Sequence, residues 1–175
     1  MEKKYQIIYA DPPWRYDFSE SKSRQIENHY PTMALNDIKA LKIPAEDNCL
    51  LYIWVTPPKV EEAIEVMVAW GFKYRTCLVW DKEKIGMGRW FRQQHELLFV
   101  GVKGKFATPE PSKRISSVLR DKRTIHSKKP DYIRDCIRVW YPNASKVELF
   151  ARNDGRQDIF GKSTWDGWDL WGNET

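Results

Sequence analysis

The stretch YQIIYADPPW at residues 5–14 decides how the rest of the sequence is interpreted. Its first half is a short apolar run, which is typical of a buried β-strand. An acid, two prolines and a tryptophan end that run at Asp11, Pro12, Pro13 and Trp14. Each proline fixes its own φ near about −65° and restricts the residue before it. The sequence therefore predicts a stiff turn directly after a buried strand.

Further apolar runs alternate with segments of helical periodicity along the chain. Strands are predicted at 48–55, 72–80, 95–104 and 146–151. Helices are predicted at 34–43, 56–71 and 129–142. This alternation indicates an α/β fold with a mostly parallel sheet and flanking helices. No linker or internal repeat divides the sequence, so we expect a single domain over residues 1–175.

The bulk composition is that of a globular protein and assigns no chemistry by itself. Hydrophobic residues make up 42% and charged residues 30% of the 175 residues, which disfavours disorder. The net charge of +5 suits a polyanionic partner, and equally a basic surface that keeps the protein in solution. No apolar run approaches the roughly 18 residues of a membrane-spanning helix, and no signal peptide is evident. We therefore expect a soluble, cytoplasmic protein.

Cysteines and histidines are too scattered to suggest a disulfide framework or a metal centre. The three cysteines, Cys49, Cys77 and Cys136, form no CxxC pair. The three histidines show no local zinc-ligand spacing. We expect no metal.

The Asp-Pro-Pro-Trp turn has chemistry suited to an amino group on a flat ring. In open α/β sheets, ligands bind beyond the carboxyl ends of strands, where this turn is predicted to lie. The Asp11 carboxylate and the Pro12 carbonyl, which has no obvious local donor, can accept the two N–H bonds of an exocyclic amine. Trp14 can stack on the base, which is worth roughly 1–3 kcal/mol. Such contacts aim the nitrogen lone pair at an electrophile, which is catalysis by positioning. A purely structural turn is the alternative.

Seven more motifs follow the turn in order. They are HYPTM (29–33), LYIWVT (51–56), VWDK (79–82), HELLFVGVKG (95–104), HSKKPD (126–131), VELFAR (147–152) and WGNE (171–174). Nearly end to end, the sequence resembles the MT-A70 family of adenine 6-amino methyltransferases. The resemblance implies a Rossmann-like, S-adenosylmethionine-dependent fold in permuted order, with the catalytic strand early and the cofactor strand late. It also implies methyl transfer to adenine in nucleic acid, with S-adenosylhomocysteine as the product.

The resemblance makes Asp11, Pro12, Pro13 and Trp14 the catalytic set and assigns the cofactor contacts. These contacts are Asp11, Lys82, Arg152, Asn153, Gln157, Asn173 and Glu174. Asp11 would lie beside the methionine part of S-adenosylmethionine, and Lys82 at its carboxylate end. Arg152, Asn173 and Glu174 would approach the ribose, and Asn153 and Gln157 the cofactor's adenine. A solvated Lys82 and a frayed terminus are the alternatives. No GxGxxG motif occurs, which disfavours a nicotinamide enzyme.

Substrate contacts are expected from Trp14 and from loops that carry aromatic and basic residues. Tyr30 matches a family loop over the substrate pocket, with a capping aromatic as the alternative. In the segment 84–96, Trp90 lies near Arg89 and Arg92, a combination that suits nucleic-acid contact. His95 and Glu96 are expected to form a buried pair that braces this segment.

The polymer and the assembly are left open by the sequence. The short chain, in which no RNA-binding module is evident, favours DNA, and RNA is the alternative. A non-catalytic, nucleic-acid-binding subunit of a methyltransferase complex is a second alternative. An enzyme that acts on glutamine side chains or small amines is a weaker one. A homo-oligomer or a partner subunit is compatible with all of these interpretations, and a bacterial or phage-infected cell is the expected setting.

Overall fold

Seven strands form one sheet within residues 3–16, 32–122, 128–151 and 167–171, which are those the computed structural model describes. The strands are β1 (Tyr5–Ala10), β2 (Ala45–Val55), β3 (Lys73–Asp81), β4 (His95–Lys103), β5 (Val118–Arg120), β6 (Lys146–Leu149) and β7 (Asp169–Trp171). The helices are α1 (Leu35–Ala40), α2 (Val60–Ala69) and α3 (Asp131–Trp140), with single 3-10 turns at Pro57–Lys59 and Pro111–Lys113. No helix in these ranges is long and apolar enough to cross a membrane.

The sheet order is β5-β3-β4-β2-β1-β6-β7, and the predicted mostly parallel α/β architecture is confirmed. Among the seven strands of the described residues, only β4 runs against its neighbours, because it pairs antiparallel with both β2 and β3. The carboxyl ends of β1, β2, β3 and β6 therefore share one edge of the sheet. The first residues of β4, His95 and Glu96, reach that same edge because this strand runs the other way. The three-residue strands β5 and β7 are too short for an apolar pattern and were not predicted.

The order of the strands reverses at β1, which places a ligand crevice at its end. Ile8 and Ala10 of β1 face the core beneath α1 and α2, while Ile7 and Tyr9 face the core beneath α3. The connections to β2 and β6, the two neighbours of β1, thus cover opposite faces of the sheet. Ligands in open α/β sheets bind at such a switch point, beyond the carboxyl ends of the strands.

The start of α2 differs from the prediction and its end does not. The helix begins at Val60, after the 3-10 turn at Pro57–Lys59, rather than at residue 56. Thr56 makes no side-chain capping bond to the turn. At the other end, Gly71 has a φ of 82° and donates its N–H to Val68, while Phe72 donates to Met67. This pair of bonds is the Schellman ending that glycine favours.

Candidate active site

The Asp-Pro-Pro-Trp turn leaves β1 at the switch point, and its backbone is hydrogen-bonded on both sides. The N–H of Trp14 donates to the Pro12 carbonyl at 2.8 Å, and the N–H of Met33 donates to the Pro13 carbonyl at 2.9 Å. The expectation that the Pro12 carbonyl lacks a local donor was therefore wrong, because the N–H of Trp14 bonds to it. The Pro13 carbonyl has a partner because the chain returns at Met33 and forms a bridge beside Trp14. A carbonyl oxygen has two lone pairs, so Pro12 retains the capacity to accept a second donor.

Trp14 is anchored in the core at this corner. Its side chain is only 5% exposed, and its indole Nε1 donates to the Trp54 carbonyl at 3.1 Å. A buried indole N–H needs such a partner. The bond ties the turn after β1 to the end of β2, and the stacking of Trp14 on a substrate base stays a prediction.

A chain of alternating charges surrounds Asp11 at the edge of the sheet. The Lys129 Nζ donates to Asp11 Oδ2 at 2.7 Å and lies 3.3 Å from Glu96 Oε2. Lys82 Nζ donates to Glu96 Oε1 at 3.1 Å. The four side chains come from the ends of β1 and β3, the start of β4 and the residues before α3. Lys129 also lies 5.8 Å from the centre of the Trp54 ring.

Mutual pairing keeps these buried groups ionised. Burial alone would raise the pKa of Glu96, but Lys129 and Lys82 hold it below its usual value. Burial would likewise lower the pKa of Lys129, but Asp11 and Glu96 hold it above its usual value. Removing one member of a buried ion pair leaves an uncompensated charge, which destabilises by about 3–5 kcal/mol. Glu96, which was predicted to brace the segment 84–96, pairs with Lys82 and Lys129. Sequence reasoning did not identify Lys129 as part of the site, although it lies within the HSKKPD motif.

A second buried ion pair lies beneath the turn, on the α3 side of the sheet. Glu148 of β6 stands opposite Tyr9 of β1 and accepts a 2.9 Å hydrogen bond from Arg134 Nη1. Arg134 also contacts Asp131. Burial raises the pKa of Glu148 to about 7, against the lowering effect of Arg134. The signal in the sequence was a lone acid inside the apolar run of β6.

The residues that follow the turn are held against the corner between β2 and α2. Tyr16 Oη and Thr56 Oγ1 lie 2.5 Å apart in a hydrogen bond. The Lys59 Nζ lies 5.3 Å from the centre of the Tyr16 ring and 2.7 Å from Glu62 Oε2. Lys59 is nearly buried, so the cation, the ring and the carboxylate form a compact cluster.

The loop between β3 and β4 carries the predicted nucleic-acid contacts Arg89, Trp90 and Arg92. Trp90 is 93% exposed, the opposite of Trp14. The loop begins at Lys82 and returns at Gln94, so both of its ends lie at the edge of the sheet that carries Asp11.

The remaining predicted contacts lie outside the described residues and stay predictions. They are Tyr30, Arg152, Asn153, Gln157, Asn173 and Glu174. The backbone just before Arg152 turns sharply, because Phe150 has a φ of 61°, which is uncommon for a residue with a side chain. In the part of the chain that the structure describes, no cluster of three or more His, Cys, Asp or Glu side chains could hold a metal ion.

Comparisons with known proteins agree on one family. The MT-A70 family model matches residues 5–174. The Type II methyltransferase M.MunI of Mycoplasma sp is 36% identical, over 98% of this chain and 78% of its own length. A putative N(6)-adenosine-methyltransferase MT-A70-like protein of Medicago truncatula is 32% identical over 85% of this chain. The human N(6)-adenosine-methyltransferase catalytic subunit METTL3 is 29% identical over 85% of this chain. The chain spans 24% and 26% of the length of the Medicago and human relatives. The chain therefore belongs to the MT-A70 family of S-adenosylmethionine-dependent adenine methyltransferases.

Proposed function

We propose that this protein transfers the methyl group of S-adenosylmethionine to the 6-amino group of adenine in DNA. Membership of the MT-A70 family supports the reaction and the base. We take DNA as the polymer because the bacterial Type II methyltransferase matches over most of both chains, whereas the adenosine methyltransferases match over about a quarter of theirs. Adenosine in RNA is the alternative that the experiment below separates.

The observation that carries this proposal is the fixed position of Asp11 at the switch point. The Lys129 ammonium holds the Asp11 carboxylate at 2.7 Å, and the proline turn that follows is bonded to Trp14 and Met33. An acceptor that is already oriented needs no reorganisation when the substrate arrives. The Asp11 carboxylate would accept one amino hydrogen of adenine, and the second lone pair of the Pro12 carbonyl would accept the other.

The charges at this edge fit S-adenosylmethionine, which carries a sulfonium, an ammonium and a carboxylate. Asp11, 30% exposed at its side chain, suits the two cationic groups, and Lys82 suits the carboxylate. When bound, the cofactor would supply an electrophilic methyl group. Arg152, Asn153, Gln157, Asn173 and Glu174 are the further contacts that we propose from the family resemblance. The proposal requires no metal.

The ionic chain gives Asp11 its orientation during the reaction. Methylation forms an N–C bond, breaks an S–C bond and releases one amino proton. In this proposal the proton is first held at the Asp11 carboxylate that already accepts it in a hydrogen bond. Glu96 acts one step further away, as a positioning residue, because it shares Lys129 with Asp11.

The test is methylation with labelled S-adenosylmethionine, with DNA and RNA of the same sequence offered separately. Enzymatic digestion and nucleoside analysis then identify the polymer, the base and the methylated atom together. We expect the label in 6-methylated deoxyadenosine, with about 10²–10³-fold slower labelling by an Asp11→Asn control. Label in ribonucleosides would replace DNA by RNA, and label on another base or on neither polymer would overturn the proposal.

A further inference from the structure

The loop between β3 and β4 is a closed hairpin, which we call the 82–94 hairpin. The N–H of Lys82 donates to the Gln94 carbonyl at 3.0 Å, and that of Gly86 to the Gln93 carbonyl at 2.8 Å. The N–H of Gln93 donates to the Met87 carbonyl at 3.2 Å. These three bonds connect the two arms from the sheet to the tip, so the hairpin is a protrusion whose backbone is hydrogen-bonded along its length.

Two glycines allow the arms to approach this closely. A Cβ atom at Gly88 would lie 1.9 Å from the Phe91 carbonyl oxygen, and one at Gly86 would lie 2.8 Å from the Gln93 carbonyl oxygen. Backbone atoms cannot tolerate such contacts without rearrangement. The tight tip is therefore possible only with glycine at these positions.

Large apolar side chains at the tip are turned to solvent. They are Ile85, Met87, Trp90 and Phe91, which are 66%, 72%, 93% and 79% exposed. The cations Lys84, Arg89 and Arg92 lie among them, with Glu83 as the acid of the tip. An apolar tip flanked by net positive charge is complementary to a polyanion with an apolar interior. A nucleic acid is such a polyanion, because its charged phosphates surround stacked bases.

The base of the hairpin is part of the edge that carries the candidate active site. Lys82, the first residue of the hairpin, and Glu96, just after its end, belong to the ionic chain that ends at Asp11. Asp81 braces the base, since its Oδ1 accepts bonds from Gln94 Nε2 at 2.7 Å and from the Glu83 N–H at 2.9 Å. A duplex that the hairpin holds would thus lie at the edge where the amino group is to be methylated.

We propose that the 82–94 hairpin is a wedge that enters the base stack of duplex DNA beside the target adenine. Trp90 is the side chain that fills the gap when the adenine leaves the helix, while Arg89 and Arg92 contact the neighbouring phosphates. The inference rests on the proposed function and names how that site obtains its substrate. Extruding a base from a duplex costs a few kcal/mol, and an inserted aromatic ring recovers roughly 1–3 kcal/mol by stacking.

The test compares three forms of one oligonucleotide: a paired duplex, a duplex with the target adenine mismatched, and the single strand. The variant Trp90→Ala removes the wedge, and Trp90→Phe keeps a ring. Val68→Ala is the matched control, since Val68 is an apolar side chain of α2 that is 67% exposed. We expect Trp90→Ala to lower kcat/KM on the paired duplex by roughly 5- to 150-fold, which corresponds to the loss of about 1–3 kcal/mol of stacking.

The deciding quantity is the loss of kcat/KM on the paired duplex relative to the loss on the other two substrates. The loss should be several-fold smaller on the mismatched duplex and the single strand, whose adenine leaves the stack more easily, and Trp90→Phe should recover most of the activity. Val68→Ala should change no ratio. An equal loss on all three substrates, or no loss on any, contradicts the wedge. A lower native mass of Trp90→Ala in light scattering would instead assign the tip to a protein interface and would also contradict it.

A binding assay separates this inference from the methylation chemistry. A duplex with 2-aminopurine at the target position increases its fluorescence when that base leaves the stack. We expect the increase with the unaltered protein and its loss with Trp90→Ala, whether or not methyl transfer is observed. If the unaltered protein binds the duplex without any increase, the wedge is excluded even where adenine in the single strand is methylated.

Discussion

The turn at residues 11–14 and the 82–94 hairpin belong to one edge of the sheet and are built in opposite ways. In the turn, Trp14 is 5% exposed and its indole N–H is bonded to Trp54, and Lys129 holds Asp11. In the hairpin, backbone hydrogen bonds join the two arms, and Trp90 is 93% exposed. Under the proposed function, this difference would separate two tasks: the core would hold the groups that meet the reacting atom, and the exposed hairpin would hold the groups that meet the nucleic acid.

The largest expected effect is at the turn. Asp11→Asn keeps the shape of the side chain but removes the charge that Lys129 holds, and its NH₂ group cannot accept an amino hydrogen. We expect kcat to fall by about 10²–10³-fold, the usual effect of removing one preorganised electrostatic contact. Initial rates with labelled S-adenosylmethionine measure it, and circular dichroism checks that the fold is retained. A decrease of less than tenfold would make the turn a structural element.

Glu96→Gln breaks the ionic chain between the two regions. Lys129 and Lys82 each lose a buried partner, so we expect the free energy of unfolding to fall by about 3 kcal/mol, with a smaller loss of kcat than for Asp11→Asn. Denaturant unfolding measures the change. Glu65→Gln is the matched control, because Glu65 pairs with Lys39 while 52% exposed, and surface pairs contribute under about 1 kcal/mol. Equal effects of the two variants would contradict the assignment of Glu96 to a buried network.

The ionisation of Glu148 beneath the turn makes stability depend on pH. Burial raises the pKa of this carboxyl group from its usual value of 4.5 to about 7 in the folded protein, so folding favours its protonated form. The folded state then binds more protons than the unfolded chain between these values, and the free energy of unfolding decreases as the pH rises from about 4.5 to 7. Glu148→Gln should flatten this decrease in unfolding curves across pH 4 to 8. An unchanged slope in the variant would assign the dependence to other groups.

The smallest effect on stability is expected at the hairpin. Gly88→Ala must rebuild the tip, because its Cβ would meet the Phe91 carbonyl, but the large apolar side chains of the tip are mostly exposed. We expect the melting temperature to change by less than about 2 °C, while the preference for paired duplex DNA falls as in Trp90→Ala.

Gly101→Ala tests the opposite situation, in which the added methyl group meets core side chains instead of the exposed tip. Its Cβ would lie 2.5 Å from Met67 Cε and 3.2 Å from Phe72 Cβ, inside the core beneath α2. Overpacking of this kind destabilises by about 1–3 kcal/mol. Thermal unfolding should therefore separate the two glycine variants, and a larger loss of stability from Gly88→Ala would contradict the contrast between the two regions.

Prediction from sequence succeeded where the signal is local. The bounds of β1 agree with the apolar run before Asp11, and the predicted helix end at residue 71 agrees with the Gly71 ending that follows α2. It failed for β5 and β7, since three residues show no periodicity. It also failed for the Pro12 carbonyl, whose donor is the N–H of Trp14 only two residues further on. The donor to the Pro13 carbonyl is Met33, which lies beyond a long segment of chain, so no local pattern could indicate it.

The tryptophans show the same limit within the candidate site. Trp14 and Trp90 both lie among polar residues in the sequence, and both were expected to contact the substrate. One is buried and the other is almost fully exposed. Neighbouring residues along the chain carry no information about which other strand a side chain will meet, so burial at a turn depends on the assembled sheet.

The sequence by itself determined the α/β class, the turn that ends β1 and membership of the MT-A70 family, because these depend on local patterns and the order of motifs. Only the tertiary structure decided that β4 runs antiparallel, which brings Glu96 to the edge of the sheet, and that Lys129 meets Asp11 across 118 positions of chain. Strand direction and long-range ion pairs follow from how whole surfaces pack and where buried charges find partners, and no local stretch of sequence encodes that choice.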